Sequence, residues 1–306
     1  LFGLDALNTR FTLYRYTFDY LPPFAVRSGM LLHLEHQEKQ GWGEIAPFPA
    51  LSRESSAQAQ EQLLYALKRM REGKELPSPL FPSVAFGLHT ACSYPGEKRV
   101  IPLCALLAGS PKDILAKAQM CLRAGYTCAK LKIAGMSPEL AIELIRILSS
   151  HFLLRIDANR AFTWEEAMRI AAAIQGLNVD YIEEPTHQID RLEDFPYSFA
   201  LDESLPEFSR FPENPHFKAI IFKPSVSFGL HLPQDKLRIL SSACETGVGI
   251  AGIAALSSSA SPVGVDTYRF LPRDVLSSPL DFSQGVLHLP DALCVNTDGL
   301  EVIAHG

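Results

Sequence analysis

From residue 98 onward, short apolar runs alternate with helical segments, and this alternation limits the fold of the chain more than any other feature. "IPLCALL", "TCAKLKI", "FLLRIDA", "VDYIEEP", "SFALDES" and "FKAIIFKPS" read as strands. "SPKDILAKAQMCLRAG", "SPELAIELIRILSSH", "TWEEAMRIAAAIQGL" and "QIDRLEDFPY" read as the helical segments between them. Continued, the alternation predicts a helix over "PQDKLRILSSACETG" and a strand at "VGIAGI", and runs on through "ASPVGVDTYRF". Such repetition implies a parallel sheet with right-handed crossovers, and seven or so units fit a barrel better than a short open sheet. No G-x-G-x-x-G follows the early strands and no Walker A sequence is present, so the usual nucleotide-binding signals are missing.

Upstream the rhythm is different. "RFTLYRYTFDYL" alternates apolar and polar positions, and "MLLHLEHQEKQGWGEIAPF" reads as two strands joined by a charged turn. A helix is expected over "SSAQAQEQLLYALKRMREG", capped by Ser55 or Ser56 and ended by Gly73, and a second over "FPSVAFGLHTACSY", with Gly87 awkwardly inside it. Residues 1–97 therefore form an expected α+β domain, residues 98–283 the barrel, and residues 284–306 a strand-and-turn tail expected to return to the first domain.

Charged residues sit where the apolar runs end: Lys130 and Lys132, then Asp157, Glu183 and Glu184, Asp202 and Glu203, and Lys223. A lone aspartate at a strand end is ordinarily a turn or helix cap, and a lone strand lysine snorkels to solvent. Here the same placement recurs in consecutive units, so these side chains are expected to meet around one mouth of the barrel, where such folds keep their chemistry. Asp157, Glu183 and Asp202 then make a hard, all-oxygen site suited to Mg²⁺, with Mn²⁺ as a substitute. The nine histidines form no H-x-H or H-E-x-x-H pair, which argues against zinc.

Lys130 and Lys132 point the same way from one strand, and Lys223 comes from the strand beyond the acidic ones. Two neighbouring ammonium groups near a divalent cation disfavour each other's charge, which is expected to bring one lysine toward the range of a general base. Proton abstraction next to a carboxylate is the chemistry this pattern suits.

Composition closes off other classes. A net charge of -6 leaves no electrostatic footprint for nucleic acid, and no apolar run is long enough to span a membrane. A mean hydropathy of +0.07 fits a well-packed globule. The six cysteines include no C-x-x-C and read as free thiols in a reducing compartment, so a cytoplasmic location is expected.

The motifs "KLK" (130–132), "RIDANRAFTWEEA" (155–167), "YIEEP" (181–185), "ALDES" (200–204) and "FKPS" (222–225) resemble those of the enolase superfamily. The likeness is to the branch holding muconate-lactonising enzymes, dipeptide epimerases and o-succinylbenzoate synthases. "GWGEIAPFPALSRES" (41–55) resembles that family's capping-domain hairpin, so the likeness spans nearly the whole chain. The resemblance implies a modified TIM barrel of (β/α)7β type with an N-terminal α+β capping domain. It implies Asp157, Glu183 and Asp202 as Mg²⁺ ligands, with Glu184 not among them. Lys132 would be the base, Lys130 its neighbour and a contact for the substrate carboxylate, and Lys223 would face the other side of the substrate. Asn159 and Arg155 would belong to the supporting network, and Ser241, Ser242 and Glu245 would lie near the substrate. "GWGEIAPFPALS", "LRIDANRAF" and the compact N-terminal region bring the likeness nearest to the o-succinylbenzoate synthases of menaquinone biosynthesis. That likeness implies a lyase that dehydrates a small carboxylate. Dipeptide epimerase or N-acylamino-acid racemase activity on the same metal and lysines is the alternative, muconate-type cycloisomerisation a third, and a non-catalytic scaffold a fourth.

Overall fold

The computed structural model describes residues 9–19, 26–36, 39–49, 51–93, 98–257 and 261–306. The expected boundary at residue 97 and the end of the first expected strand, Tyr20 and Leu21, lie outside them.

The N-terminal part is an antiparallel sheet with two helices against it. Strands β1 (Thr9–Asp19), β2 (Val26–His36) and β3 (Lys39–Ile45) lie side by side, and the last strand of the chain, β14 (Glu301–His305), pairs with the free edge of β1. Alternation sends Leu13, Met30, Leu32 and Leu34 to the face covered by α1 (Ser56–Arg71) and α2 (Pro82–Ser93), where Leu63, Leu67, Val84 and Leu88 complete a core. Ser55 caps α1 in a reciprocal arrangement with Gln58. Gly87 is explained by close approach: a Cβ there would lie 2.6 Å from Ile45, and one on Gly43 would lie 1.9 Å from the Gly87 carbonyl. The two glycines let α2 rest directly on β3.

The barrel is a seven-stranded parallel sheet in sequential order: β5 (Cys104–Leu107), β6 (Cys128–Lys132), β7 (Leu153–Asp157), β8 (Val179–Glu183), β9 (Phe199–Leu201), β10 (Phe217–Phe222) and β11 (Leu237–Leu240). Residues 263 and 264 close it as a minimal eighth strand. Val263 exchanges hydrogen bonds with Pro102 and Cys104, and Gly264 with Leu240 and Ser242, all at 2.9–3.0 Å. Outside the sheet run α3 (Pro111–Arg123), α4 (Pro138–Leu148) and α5 (Trp164–Ala173), each started by a Ser or Thr whose side chain accepts from the third helical residue. Proline at the first position of α3 and α4 supports the same starts. After β8 the helical layer thins to single turns and the four-residue α6 (Pro224–Ser227), and α7 (Gly247–Ala255) restores it.

Three expectations need correction. "IPLCALL" is not one strand: β4 (Arg99–Pro102) leaves the barrel for a three-stranded sheet with β12 (Asp281–Ser283) and β13 (Val286–Leu289), and only β5 enters the barrel. The first part of the tail therefore pairs beside the barrel, and only β14 lies on the N-terminal sheet. The order strand–helix is also reversed near residue 240. "LRIL" is the strand β11, and the predicted strand "VGIAGI" is inside the helix α7. Every residue of α7 from Gly247 to Ala254 is buried, so the helix carries no polar face and shows no 3.6-residue period.

Candidate active site

Register brings the lysines and acids together. Lys132, Asp157 and Glu183 are direct neighbours across β6, β7 and β8, and Lys130, Arg155 and Tyr181 form the level two residues below. In-register neighbours on parallel strands share a face, so all six point into the barrel. Asp202 follows β9 and Lys223 follows β10, which adds one acid and one ammonium group to the rim. Asn159, at φ 44°, turns the chain after β7 and accepts from Lys132 Nζ at 2.9 Å.

The three ammonium groups are not equivalent. Lys130 is the most deeply tied: its Nζ lies 2.7 Å from Glu183 and 2.9 Å from Asp157. Lys223 pairs with Asp202. Lys132 lies 3.2 Å from Asp157, and its side chain is 40% exposed against 18% for Lys130 and 15% for Lys223. It is the lysine that reaches the open part of the cavity.

Carboxylates, more than neighbouring lysines, set the charge of Lys130 and Lys223. Burial pulls the Lys130 ammonium down, but the carboxylates of Asp157, Glu183 and Asp202 outweigh it and hold its pKa well above the usual lysine value. Lys223 moves the same way, with burial opposed chiefly by Asp202. Burial and the adjacent Asp157 charge push Glu183 well above the ordinary carboxylate range, and burial of Asp157 is outweighed by Lys130 and Lys132, which hold it down.

Glu183, Asp202 and Glu203 bring carboxylate oxygens within 4.8 Å of one another, while Asp157 stands beside them with its Oδ2 shared between Lys130 and Lys132. One oxygen of Glu183 and one of Glu203 are buried without a hydrogen-bond partner. Buried carboxylate oxygens with no donor fit a cation, and a set built only of oxygens fits Mg²⁺ rather than a softer metal. Glu203 was visible in the sequence as the second acid of "ALDES", in the same way that Glu184 follows Glu183, but adjacency alone does not tell which of two acids faces inward. Glu184, at φ 48°, turns away: its carboxylate accepts from Asp202 N at 2.7 Å, Ser204 N at 3.0 Å and Ser204 Oγ at 2.6 Å. Glu184 thus holds the backbone that presents Asp202.

A cavity of about 410 Å³ opens over these groups, lined also by Phe48 and Leu51 of the N-terminal domain and by Ser241, Ser242 and Thr267. Phe48 and Leu51 carry no chemical signal and were not singled out from the sequence. Ser241 and Ser242 each direct their hydroxyl to the Gly264 carbonyl at 3.2 Å, and Ser242 also meets Thr267 at 2.5 Å. Glu245 does not line the cavity. It is fully buried, where it accepts from Ser225 Oγ and from Ala243 N. Arg155 lies level with Lys130 and two residues below Lys132, bound to Asp180 at 3.1 Å, Pro262 O at 2.6 Å and Ser261 Oγ at 2.9 Å.

The N-terminal domain is locked onto this mouth. Glu44 at the end of β3 is fully buried at the start of α7, accepting from Thr246 N at 3.1 Å, Thr246 Oγ1 at 2.6 Å, Gly249 N at 2.8 Å and Tyr16 OH. Thr246 makes no side-chain cap of its own, so a carboxylate from the other domain satisfies these amides at the positive end of the helix. Arg27 donates to the carbonyls of Ala46 and Pro47 at 2.5 Å and of Cys244 at 3.1 Å, tying the loop that carries Phe48 to the barrel.

Parallel strands that present acids and lysines at one rim beneath an α+β cap define an enolase-superfamily architecture. Residues 113–214 match the family profile described as "Enolase C-terminal domain-like", and residues 10–94 match "MenC, N-terminal domain". The chain is 30% identical over 284 residues to the o-succinylbenzoate synthase of Klebsiella pneumoniae (strain 342), covering 82% of this chain and 86% of that protein. It is 28% identical over 314 residues to the o-succinylbenzoate synthase of Yersinia enterocolitica, covering 91% and 92%. The chain belongs to the o-succinylbenzoate synthase family of that superfamily. Among solved structures, the o-succinylbenzoate synthase of Thermosynechococcus elongatus, with Mg in its active site, superposes with a TM-score of 0.67 at 24% identity, over 86% of this chain and 95% of that one. An L-Ala-D/L-Glu epimerase superposes at 0.76 with 20% identity, over 92% and 100%, and this second likeness is one of fold. Among the described residues, no helix is long and apolar enough to cross a membrane.

Proposed function

We propose that this chain catalyses the Mg²⁺-dependent syn dehydration of 2-succinyl-6-hydroxy-2,4-cyclohexadiene-1-carboxylate to 2-succinylbenzoate. The observation that carries the reading is the asymmetry of the lysines: Lys132 faces the open cavity, while Lys130 and Lys223 are held among carboxylates. Asp157, Glu183 and Asp202 would hold Mg²⁺, with Glu203 in reach, and the ion would supply a Lewis acid against the charge that builds on the substrate carboxylate. Lys132 as the free amine takes the ring proton next to the carboxylate. The same nitrogen, now an ammonium, returns that proton to the departing hydroxide, so the C–O bond breaks on the face from which the proton left and water is released. Lys130 and Lys223 remain charged and stabilise the developing negative charge. Asn159 holds Lys132 Nζ from the side, fixing where it meets the ring.

The purified chain with Mg²⁺ and the cyclohexadiene is expected to form 2-succinylbenzoate, followed by ultraviolet absorbance. Absence of turnover alongside α-deuterium exchange in dipeptides would instead assign the chain to the epimerases. Glu184→Ala is expected to weaken Mg²⁺ binding by about 10- to 100-fold through loss of its hold on the Asp202 backbone. Calorimetric titration of a variant with an unchanged circular-dichroism spectrum measures this, and an unaltered affinity would contradict it.

A further inference from the structure

The reaction cavity has an annex. A second cavity of about 340 Å³ shares Leu51, Asp202, Glu203 and Lys223 with it, so the two meet at the rim of the acid cluster. The annex has a hydrocarbon part, formed by Leu205, Phe208, Phe211 and Leu232, and a polar part of similar extent that includes His231 and one arginine, Arg53.

Arg53 differs from every other ammonium or guanidinium group on either cavity. Lys130, Lys132 and Lys223 each have a carboxylate partner, whereas Arg53 makes no ion pair or hydrogen bond among the described residues. Its backbone is nonetheless fixed on both sides. Ser52 closes a turn with Phe48, through Ser52 N to Phe48 O at 2.8 Å and Phe48 N to Ser52 Oγ at 2.8 Å. Glu54 is buried and accepts from Ser83 N at 3.2 Å and Ser83 Oγ at 2.6 Å at the start of α2. An exposed guanidinium on a held loop, in the wall of a partly apolar cavity that meets the reaction site, suits a ligand with a short hydrocarbon arm that ends in an anion.

We infer that Arg53 binds the terminal carboxylate of the substrate's succinyl arm and so selects dicarboxylates over monocarboxylates of the same ring. This rests on the dehydration proposed above. The two methylenes of the arm lie along the apolar part of the annex, and its carboxylate takes the guanidinium that, among the described residues, has no acidic partner. Arg53 comes from the N-terminal domain, so that domain reads the arm of the substrate while the barrel acts on the ring.

Calorimetric binding of 2-succinylbenzoate and of 2-butanoylbenzoate, in which a methyl group replaces the terminal carboxylate, tests the inference without needing turnover. With Mg²⁺ present, the wild type is expected to bind the succinyl compound about 10- to 100-fold more tightly, the range of one charge-assisted hydrogen-bond pair. Arg53→Leu is expected to abolish that preference and Arg53→Lys to keep part of it. With the cyclohexadiene as substrate, the loss in Arg53→Leu is expected in KM rather than kcat. Equal binding of both compounds by the wild type, or an Arg53→Leu variant that keeps the preference, overturns the inference. A wild type that turns over the cyclohexadiene while showing no preference refutes the role of Arg53 alone. A wild type that shows the preference without turnover refutes the dehydration and leaves the dicarboxylate site standing.

Discussion

Lys132→Met is expected to lower kcat/KM for the dehydration by about 10²- to 10⁴-fold, the contribution typical of a positioned acid–base group. Methionine keeps the length and apolar stem of the side chain but cannot carry a proton. The effect should fall on chemistry, because Mg²⁺ would be held by the acids, and calorimetry should show the ion still bound. Among the described residues the polar partners of Lys132 are Asp157, which Lys130 also holds, and Asn159, so its removal does not leave a deeply buried acid without its main partner. Lys130→Met is a different perturbation: it strips Glu183 and Asp157 of a buried counter-charge and is expected to disturb the acid cluster as well as the rate. If Lys132→Met retained activity within tenfold of the wild type, Lys132 would not be the group that moves the proton.

The second large effect lies at the domain junction. Glu44→Ala leaves the Thr246 and Gly249 amides and the Thr246 hydroxyl without this acceptor, at an expected cost of about 3–5 kcal/mol, measurable by urea unfolding. Glu44 also makes stability depend on pH. Burial raises its pKa from 4.5 to about 7, against the opposing hydrogen bonds of Thr246 and Tyr16. A carboxyl raised in the folded state contributes stability in full below about pH 4.5, and that contribution is lost as pH climbs through about 7. The span corresponds to roughly 3 kcal/mol at most. Glu44→Gln, which cannot ionise, is expected to lack this component, so its stability relative to wild type should improve from pH 5 to pH 8. A constant difference over that range would show that Glu44 does not titrate there.

The parts of the site that the sequence made legible are those governed by period and spacing. Lys130 and Lys132 share a face because strand side chains alternate, and Asp157 and Glu183 fall level with Lys132 because each βα unit brings the chain back to the same rim. What stayed hidden depends on contacts between distant segments. Glu44 looks like one acid in a hairpin until α7 is found to start against it. Glu245 lies in a polar stretch expected to face substrate, yet it turns inward to Ser225 and Ala243. The exchange of strand and helix near residue 240 has a local cause: a fully buried helix of glycine, alanine, valine and isoleucine has lost the polar stripe that marks a helix in sequence. Arg53 lies inside "GWGEIAPFPALSRES" but carries no chemical signal of its own there. It stands out only once the lysines are seen to be paired and Arg53, among the described residues, is not.

The seam of the barrel links substrate binding to the integrity of the fold. Residues 263 and 264 hold the last strand to the first through four backbone hydrogen bonds, and Arg155 reaches through the barrel to the residues just before them. Gly264 is at the same time part of the cavity wall, together with Ser241, Ser242 and Thr267. A molecule seated there rests against the joint itself, so any fluctuation that parts the seam must also dismantle the binding surface. Occupancy of the cavity and protection of these amides from solvent exchange are therefore two readings of one equilibrium.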